Sequence, residues 1–257
     1  MLYREVRGQG EDIVLLHGWG MNAAVWSPLL DVLSRHFRVT VVELPGHGES
    51  HYTISSAVLD EWVEAVLRLV PTQAVWIGWS LGGQIAQRAA VLAPERIHKL
   101  VLVATTPKFI QGDDWPHALP VRILQQFSSE LIGDPPKTLD RFLSLQVKGD
   151  DQARQALRLL RQDIALRPAP NATALEHGLE LLLTVDLRDQ LRQIQCPTLW
   201  LLGERDTLVP VTVGDELERL MPDAEILILN GAAHAPFLSH TEAALKTLRH
   251  FLDSKHE

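Results

Sequence analysis

Ile77-Gly78-Trp79-Ser80-Leu81-Gly82-Gly83 is the stretch that decides the fold. The apolar run Ala74-Val75-Trp76-Ile77 precedes it and predicts a short buried strand, and the residues from Gln84 to Leu92 are typical of a helix. The Gly-x-Ser-x-Gly pattern therefore lies at a strand-to-helix turn, the context that a nucleophile elbow requires. Small neighbours let strand and helix approach closely, and the serine hydroxyl would project above the sheet edge. The alternative is a glycine-rich turn with an incidental serine.

Length and composition favour one large α/β domain. The chain has 257 residues, of which 46% are hydrophobic, and such domains often run this long without splitting. The net charge of −8 argues against nonspecific nucleic-acid binding. Cys196 is the only cysteine, so no internal disulfide can form and a reducing compartment is allowed.

Targeting and cofactor signals are absent from the sequence. Arg4, Glu5 and Arg7 occupy the place where a signal peptide needs its apolar region, and no apolar run approaches the length of a membrane span. Neither metal-ligand spacing nor a nucleotide-binding glycine pattern occurs. We therefore expect a cytoplasmic protein that uses no metal or cofactor and binds neither nucleic acid nor a membrane.

Apolar runs alternate with helical patterns, and this alternation predicts a mostly parallel, doubly wound sheet. Strands are expected at 2–6, 12–17, 37–44, 74–77, 100–104, 196–203 and 224–229. Helices are expected at 24–34, 55–69, 84–92, 211–220 and 242–252, the second of them capped by Ser55 or Ser56.

The alternation stops after Pro107. From 108 to 185 the sequence has no convincing strand, only helical stretches broken by glycine and proline. We therefore predict a core domain formed by 1–107 and 186–257, with an inserted helical cap at 108–185.

A serine nucleophile needs a base and a group that orients the base. In this kind of sheet the acid and the histidine follow the serine in the chain, each on a loop after a strand. Asp206 lies just past the strand that ends at Leu202, and His234 lies just past the strand that ends at Leu229. We therefore predict Ser80, Asp206 and His234 as the catalytic residues.

Other polar residues fit these roles less well. Glu204 shares a loop with Asp206 and is the alternative acid. Asp186 and Asp189 precede the strand rather than follow it. His17 and His47 lie on strand-end loops but precede the nucleophile, so we interpret them as structural or pocket-wall histidines.

Negative charge on a tetrahedral intermediate needs two N–H donors. One is expected from Leu81, the residue after the nucleophile. The loop His17-Gly18-Trp19-Gly20 supplies the other, and we favour the N–H of Trp19. Trp19 could also act as a pocket wall, and the two roles are compatible.

Four segments together carry a resemblance to a known family. They are Leu15-Leu16-His17-Gly18-Trp19-Gly20-Met21-Asn22, Gly78-Trp79-Ser80-Leu81-Gly82-Gly83, Arg141-Phe142-Leu143-Ser144-Leu145-Gln146 and Ala232-Ala233-His234-Ala235-Pro236-Phe237. The whole chain resembles the BioH family of the α/β-hydrolase superfamily, the pimeloyl-[acyl-carrier protein] methyl ester esterases of biotin synthesis. The resemblance implies the α/β-hydrolase fold and a cofactor-free serine carboxylesterase, which we expect to be a monomer.

The same resemblance implies a set of substrate contacts from the early loop, the elbow, the cap and the histidine loop. They are Trp19, Ser80, Leu81, Phe142, Leu143, Ser144, Leu145, Gln146 and His234.

A local excess of positive charge lies in the cap. Lys137 to Arg167 holds seven basic and four acidic residues within an acidic chain. Charge alone slightly favours a solvated face, with Asp150 and Asp151 pairing locally to Arg154. The resemblance reverses that preference, because acyl carrier proteins are acidic and a basic patch would steer them. The residues expected to bind the carrier are Lys137, Arg141, Arg154, Arg158 and Arg161.

Three functions stay open at this point. The first is the carrier-protein methyl esterase. The second is a general short-chain carboxylesterase or another cofactor-free hydrolase of small metabolites. The third is a non-catalytic ligand-binding protein on the same fold, since fold does not fix function; an intact set of Ser80, Asp206 and His234 argues against it.

Overall fold

The computed structural model describes residues 1–150 and 152–254. Within them seven strands form one sheet. The strands are β1 (Arg4–Arg7), β2 (Glu11–Leu16), β3 (Phe37–Val42), β4 (Ala74–Trp79), β5 (Ile97–Val103), β6 (Thr198–Gly203) and β7 (Glu225–Leu229). Their order is β1-β3-β2-β4-β5-β6-β7. Only β1 in this set runs antiparallel, against β3, so the mostly parallel sheet predicted from the alternation is confirmed.

The central strands are apolar because helices cover both faces of the sheet. Every residue of β4 and β6 is buried, and β4 pairs with β2 on one side and β5 on the other. Because β2, β4, β6 and β7 are parallel, their carboxyl ends meet at one edge of the sheet. The loops that carry Trp19, Ser80, Asp206 and His234 all leave the sheet at this edge.

Ten α-helices accompany the sheet in the described residues. They are α1 (Ser27–Leu33), α2 (Leu59–Leu67), α3 (Leu81–Leu92), α4 (Val121–Gly133), α5 (Pro135–Gln146), α6 (Ala153–Ala165), α7 (Ala172–Thr184), α8 (Val213–Leu220), α9 (Pro236–Ser239) and α10 (Thr241–Asp253).

Two helix beginnings differ from the sequence prediction. The first helix opens with a 3₁₀ turn, Ala23–Trp26, before α1. The second begins at Leu59 after an extended Val58 that makes no side-chain cap, so the serine cap was wrong. The Ser56 hydroxyl instead donates to Glu61 Oε1 at 3.4 Å, and its preference for capping is overridden by the path of the preceding loop.

Helices α4 to α7 form one insertion between β5 and β6. Its two ends lie together, because Lys108 Nζ is 3.2 Å from Asp186 Oδ2. Arg188 joins the same group and binds Asp186 at 2.7 Å and Asp114 at 2.8 Å. The exact division of the chain into a core of 1–107 and 186–257 and a cap of 108–185 stays a prediction.

All seven tryptophans of the chain are buried, so the core is large and aromatic. Trp26 stacks on Phe237 with ring centroids 4.5 Å apart, and Trp79 meets the same phenylalanine edge-on at 5.1 Å. These contacts fix the loop after β7 against the centre of the sheet. In the part of the chain that the structure describes, none of the helices has the length and apolarity that crossing a bilayer requires.

Candidate active site

Ser80 lies at the turn between β4 and α3, with φ 55° and ψ −120°. A non-glycine residue with positive φ is strained, and the surrounding structure must hold it there. The Ser80 carbonyl accepts hydrogen bonds from Thr105 Oγ1 at 2.7 Å and from Gly83 N at 2.9 Å. The Ser80 N–H donates to Val103 O at 3.1 Å. The turn is therefore the strained elbow that the sequence predicts.

The glycines of the elbow are required by close packing. A Cβ on Gly82 would lie 2.5 Å from the backbone oxygens of Leu16 and His17. A Cβ on Gly78 would lie 2.5 Å from Gly82 O. Helix α3 can therefore approach β2 and β4 only because these positions carry no side chain.

Asp206 and His234 are joined by a hydrogen bond. His234 Nδ1 donates to Asp206 Oδ2 at 2.7 Å, and Asp206 Oδ1 accepts from the backbone N–H groups of Leu208 and Val209 at 2.8 and 2.9 Å. A carboxylate held in this way accepts a hydrogen bond from Nδ1–H, and this tautomer leaves Nε2 with the lone pair that a general base needs. The acid and the histidine lie together as predicted.

The histidine loop is also fixed to the elbow. Trp79, the residue before Ser80, donates its Nε1–H to His234 O at 2.7 Å. Ser80 and His234 are 3% and 1% exposed, so both lie in a nearly closed site. Among the described residues His234 Nε2 has no hydrogen-bond partner. The structure therefore contains no Ser80–His234 hydrogen bond, and catalytic hydrogen bonds of this kind often tighten only in the complex with substrate.

The alternative acids are occupied elsewhere. Glu204 is exposed, and its Oε2 accepts from Gly231 N at 2.7 Å. Asp186 pairs with Lys108 and Arg188 at the base of the insertion, where those cations hold the pKa of its carboxyl below the usual range. Of these acids, Asp206 is the one that bonds to His234.

His17 and His47 hold the loop that carries Trp19. Leu44 N donates to His17 Nε2 at 3.0 Å, and Gly20 N donates to His47 Nε2 at 3.1 Å. In each ring Nδ1 donates to a backbone carbonyl, so both histidines are neutral. Burial lowers the pKa of His47 to about 4 and lowers the pKa of His17, whose protonation a positive charge on His47 would also oppose.

The two N–H groups expected to stabilise an oxyanion flank the serine. Leu81 begins α3, so its N–H has no acceptor within the helix. The loop of Trp19 passes beside Ser80, since a Cβ on Gly18 would lie 3.1 Å from Ser80 Cβ. The Trp19 ring turns toward the insertion, where Nε1 donates to Leu175 O at 2.8 Å. The oxyanion hole itself stays a prediction.

The segment from Phe142 to Gln146 divides between two sides of α5. Phe142 meets the Trp19 ring edge-on at 4.8 Å, and the backbone carbonyl of Gln146 accepts from His234 N at 3.0 Å. Leu143 is buried and Leu145 partly buried. Ser144 faces α6 instead, where its hydroxyl accepts from Arg161 Nη2 at 2.8 Å. The structure thus brings Phe142 and Gln146 to the site and leaves Ser144 outside it.

The basic residues of the insertion lie at its surface. Lys137, Arg154 and Arg158 are exposed. Arg141 pairs with Glu130 and lies 5.1 Å from the centre of the Phe127 ring. Arg161 binds Asp140 at 2.8 Å. These last two arginines therefore already have partners within the insertion.

The position of Asp150 was missed by the sequence analysis, which considered it only as a local partner of Arg154 in the alternative of a solvated face. Its side chain is buried, and Oδ2 accepts from Ala233 N at 3.3 Å, next to His234. Asp151, its expected companion, lies outside the described residues. Nothing in the local sequence, two adjacent aspartates in a polar stretch, indicates that Asp150 is buried. Over the residues described, no cluster of three or more histidine, cysteine or acidic side chains could hold a metal.

Comparisons with known proteins agree with this geometry. A family model described as alpha/beta hydrolase fold matches residues 13–241. A protein of Photobacterium profundum named pimeloyl-[acyl-carrier protein] methyl ester esterase is 45% identical over 96% of this chain and 97% of its own length. A protein of Vibrio cholerae with the same name is 43% identical over 97% of each chain.

Solved structures show the same fold. An esterase from Exiguobacterium antarcticum superimposes with a TM-score of 0.89 at 22% identity, over 98% of this chain and 96% of that one. A hydrolase from Pseudomonas aeruginosa gives a TM-score of 0.85 at 26% identity, over 98% and 94% of the two chains.

Asp206→Asn should cost far more activity than Glu204→Gln. An amide at position 206 accepts the hydrogen bond from Nδ1–H less strongly and carries no charge to stabilise the imidazolium, so the loss is expected to be on the order of 10³ to 10⁴ in kcat. Glu204→Gln keeps an oxygen that can accept from Gly231 N and should stay within about threefold of the parent. Steady-state hydrolysis of 4-nitrophenyl butyrate measures both; the reverse order would assign the acid to Glu204.

Acid should destabilise the fold through the buried histidine pair. The pKa of His47 is about 4 when folded and about 6.5 when unfolded, so the unfolded chain binds the proton first. The contribution of neutral His47 to the free energy of unfolding is complete above pH 6.5. It is lost as the pH falls to about 4, and the loss is on the order of 3 kcal/mol. Urea unfolding between pH 7 and 4 should show a shallower decline for His47→Gln. His36→Gln, at an exposed position, is the control; a His47→Gln curve parallel to the parent's would contradict the assignment.

Proposed function

This chain belongs to the alpha/beta hydrolase fold family and, within it, to the pimeloyl-[acyl-carrier protein] methyl ester esterases, and on that basis we propose that it hydrolyses the methyl ester of pimeloyl-[acyl-carrier protein]. The products are pimeloyl-[acyl-carrier protein] and methanol. The reaction would unmask the far carboxyl of the pimeloyl chain during biotin synthesis.

The observation that carries this proposal is the paired Asp206 and His234 beside a strained serine. The 2.7 Å bond between Asp206 and His234 Nδ1 leaves Nε2 as a base, and Ser80 projects from the elbow between β4 and α3. Such a set performs acyl transfer to serine.

In the first half of the reaction His234 takes the Ser80 proton at Nε2 while Ser80 Oγ attacks the ester carbonyl. Asp206 stabilises the imidazolium that results. The N–H groups of Leu81 and Trp19 donate to the oxygen that becomes negative. When the intermediate collapses, the carbon–oxygen bond to the methoxy group breaks, and His234 gives its proton to the departing methanol.

In the second half a water molecule replaces methanol. His234 takes a proton from the water, whose oxygen attacks the acyl-enzyme carbonyl. The bond to Ser80 Oγ then breaks and the serine regains a proton from His234. The acid that leaves keeps the second water proton and gives it to bulk water, which yields the free carboxylate. His234 carries out each proton transfer to or from Ser80, methanol and the attacking water.

The substrate's acyl chain would lie between the Trp19 loop and α5. Trp19 and Phe142 form an aromatic wall, with Leu143, Leu145 and Gln146 next to it. An apolar wall suits the methylenes of a pimeloyl chain. Ser144 belonged to the set implied by resemblance, but its bond to Arg161 favours a role in joining α5 to α6.

The acyl carrier protein would dock on the basic face of the insertion. Lys137, Arg141, Arg154 and Arg158 are the exposed members of that face, and of the five basic residues Arg141 and Arg161 form ion pairs with Glu130 and Asp140. Exposed charges of this kind steer an acidic partner more than they add affinity. The monomeric state, the cytoplasmic location and the lack of nucleic-acid or membrane binding stay predictions from the sequence.

Complementation tests the proposed function directly. The gene should restore growth without biotin to a bacterial strain that lacks its own pimeloyl-[acyl-carrier protein] methyl esterase, and Ser80→Ala should not. With purified protein, Ser80→Ala should lower kcat on 4-nitrophenyl butyrate by about 10⁴ to 10⁶ while the fold persists.

The outcomes separate the three functions that the sequence leaves open. Hydrolysis of the small ester without complementation would favour a general carboxylesterase. No hydrolysis of either substrate would favour a ligand-binding protein. Near-parent activity of Ser80→Ala would contradict the nucleophile.

Arg154→Ala combined with Arg158→Ala should impair turnover of the carrier-linked methyl ester, mainly through a higher KM. Added salt should have the same effect on the parent protein, because the screening length is about 8 Å at physiological ionic strength. Hydrolysis of 4-nitrophenyl butyrate should hardly change, since a small ester needs no carrier docking.

A control pair with the same change of charge is Arg35→Ala with Arg249→Ala, at exposed positions outside the insertion. It should leave both substrates near parent rates. Equal losses on both substrates in the Arg154 and Arg158 variant would mean that these arginines support the fold of the insertion instead.

A further inference from the structure

A second carboxylate lies against the loop that carries His234. The Asp150 side chain is 1% exposed, although Asp150 lies in the loop between α5 and α6 of the insertion. Its Oδ2 accepts from Ala233 N at 3.3 Å, and its Oδ1 accepts from Gln152 N at 3.0 Å. Burying a carboxylate is unfavourable unless hydrogen bonds compensate for the lost hydration, and here two backbone N–H groups provide them.

The segment 146–150, which we name the α5 clasp, binds both loops that supply the acid and the base. The carbonyl of Gln146 accepts from His234 N at 3.0 Å. The carbonyl of Gly149 accepts from Arg205 Nη1 at 2.8 Å, and Arg205 directly precedes Asp206. The α5 clasp therefore contacts the backbone of the base and the neighbour of its acid.

A sharp turn brings Asp150 back toward the histidine loop. Gly149 has φ +92°, a conformation that L side chains rarely adopt. Asp150 N donates to Val147 O at 3.2 Å and closes the turn. The oxygen that binds Ala233 N, Asp150 Oδ2, also lies 3.5 Å from His240 Nδ1, just before α10. The carboxylate is therefore enclosed by the insertion, the histidine loop and the start of the last helix.

Two successive N–H groups of the histidine loop bind the α5 clasp. Ala233 N binds the Asp150 carboxylate, and His234 N binds the Gln146 carbonyl. Asp206 and Trp79 hold the His234 ring and carbonyl from the side of the sheet. Hydrogen bonds from both the sheet and the insertion thus hold His234 and its loop.

We propose that Asp150 is a positioning residue that aligns His234 with Ser80 by fixing the backbone of the histidine loop from the insertion. This role rests on the proposed function, in which His234 is the base. Small displacements of a catalytic group cost up to about 10² in rate, so the effect belongs in kcat. The position of the insertion against the histidine loop and the alignment of His234 are consequently coupled.

Asp150→Ala should lower kcat for 4-nitrophenyl butyrate about tenfold and leave KM within about twofold, because the acceptor for Ala233 N is removed while the acyl site is intact. Asp150→Asn keeps one carboxamide oxygen and should stay within about threefold of the parent. Asp113→Ala is the matched control, an exposed aspartate of the same insertion. Thermal unfolding of each variant gives the folded fraction at the assay temperature, and kcat is expressed per folded molecule.

Three results would overturn the proposal. They are a parent-like kcat per folded Asp150→Ala molecule, a loss confined to KM, or an Asp150→Asn variant as slow as Asp150→Ala. Ser80→Ala and His234→Ala are assayed in parallel. If these two abolish hydrolysis while Asp150→Ala does not slow it, only the role of Asp150 fails. If they retain hydrolysis, the proposed function fails and the role of Asp150 fails with it.

Discussion

The backbone of Ser80 lies at φ 55° and ψ −120°, and most of the architecture near it can be understood as what keeps it there. Strain of this kind costs on the order of 1 to 3 kcal/mol and persists only where the surroundings over-determine the conformation. The hydrogen bonds from Thr105 and Gly83 to the Ser80 carbonyl, and from Ser80 N to Val103, supply that restraint. Close packing of Gly82 on β2 prevents the helix from relaxing away.

The loop beside the elbow depends on a different device. His17 and His47 are buried and neutral, and each accepts one backbone N–H that would otherwise be unsatisfied in the core. An imidazole can donate at one nitrogen and accept at the other, so two rings satisfy four backbone groups. The loop of Trp19 is thereby fixed without a strand or helix of its own.

The sequence predicts the sheet and the three catalytic positions because each rests on a local signal. Apolar runs mark the strands, and Ser80, Asp206 and His234 follow strands whose ends must meet. The start of α2 and the inward turn of Asp150 were not predictable in this way, since both depend on contacts with residues distant in the chain. The basic residues of the insertion show the same limit: composition identifies them, but only the structure shows that Arg141 and Arg161 have acidic partners.

The joined ends of the insertion have an evolutionary consequence. The chain leaves the sheet after Val103 and returns at Thr198, and between these points Lys108 and Asp186 form an ion pair at 3.2 Å. The length and sequence of the insertion therefore do not change the register in which β5 pairs with β6. Such a segment can be exchanged, lengthened or remodelled among descendants of one ancestor while the sheet is inherited unchanged. Selection for a new acyl group can then act on this segment while the sheet that carries Ser80 keeps its own pairing.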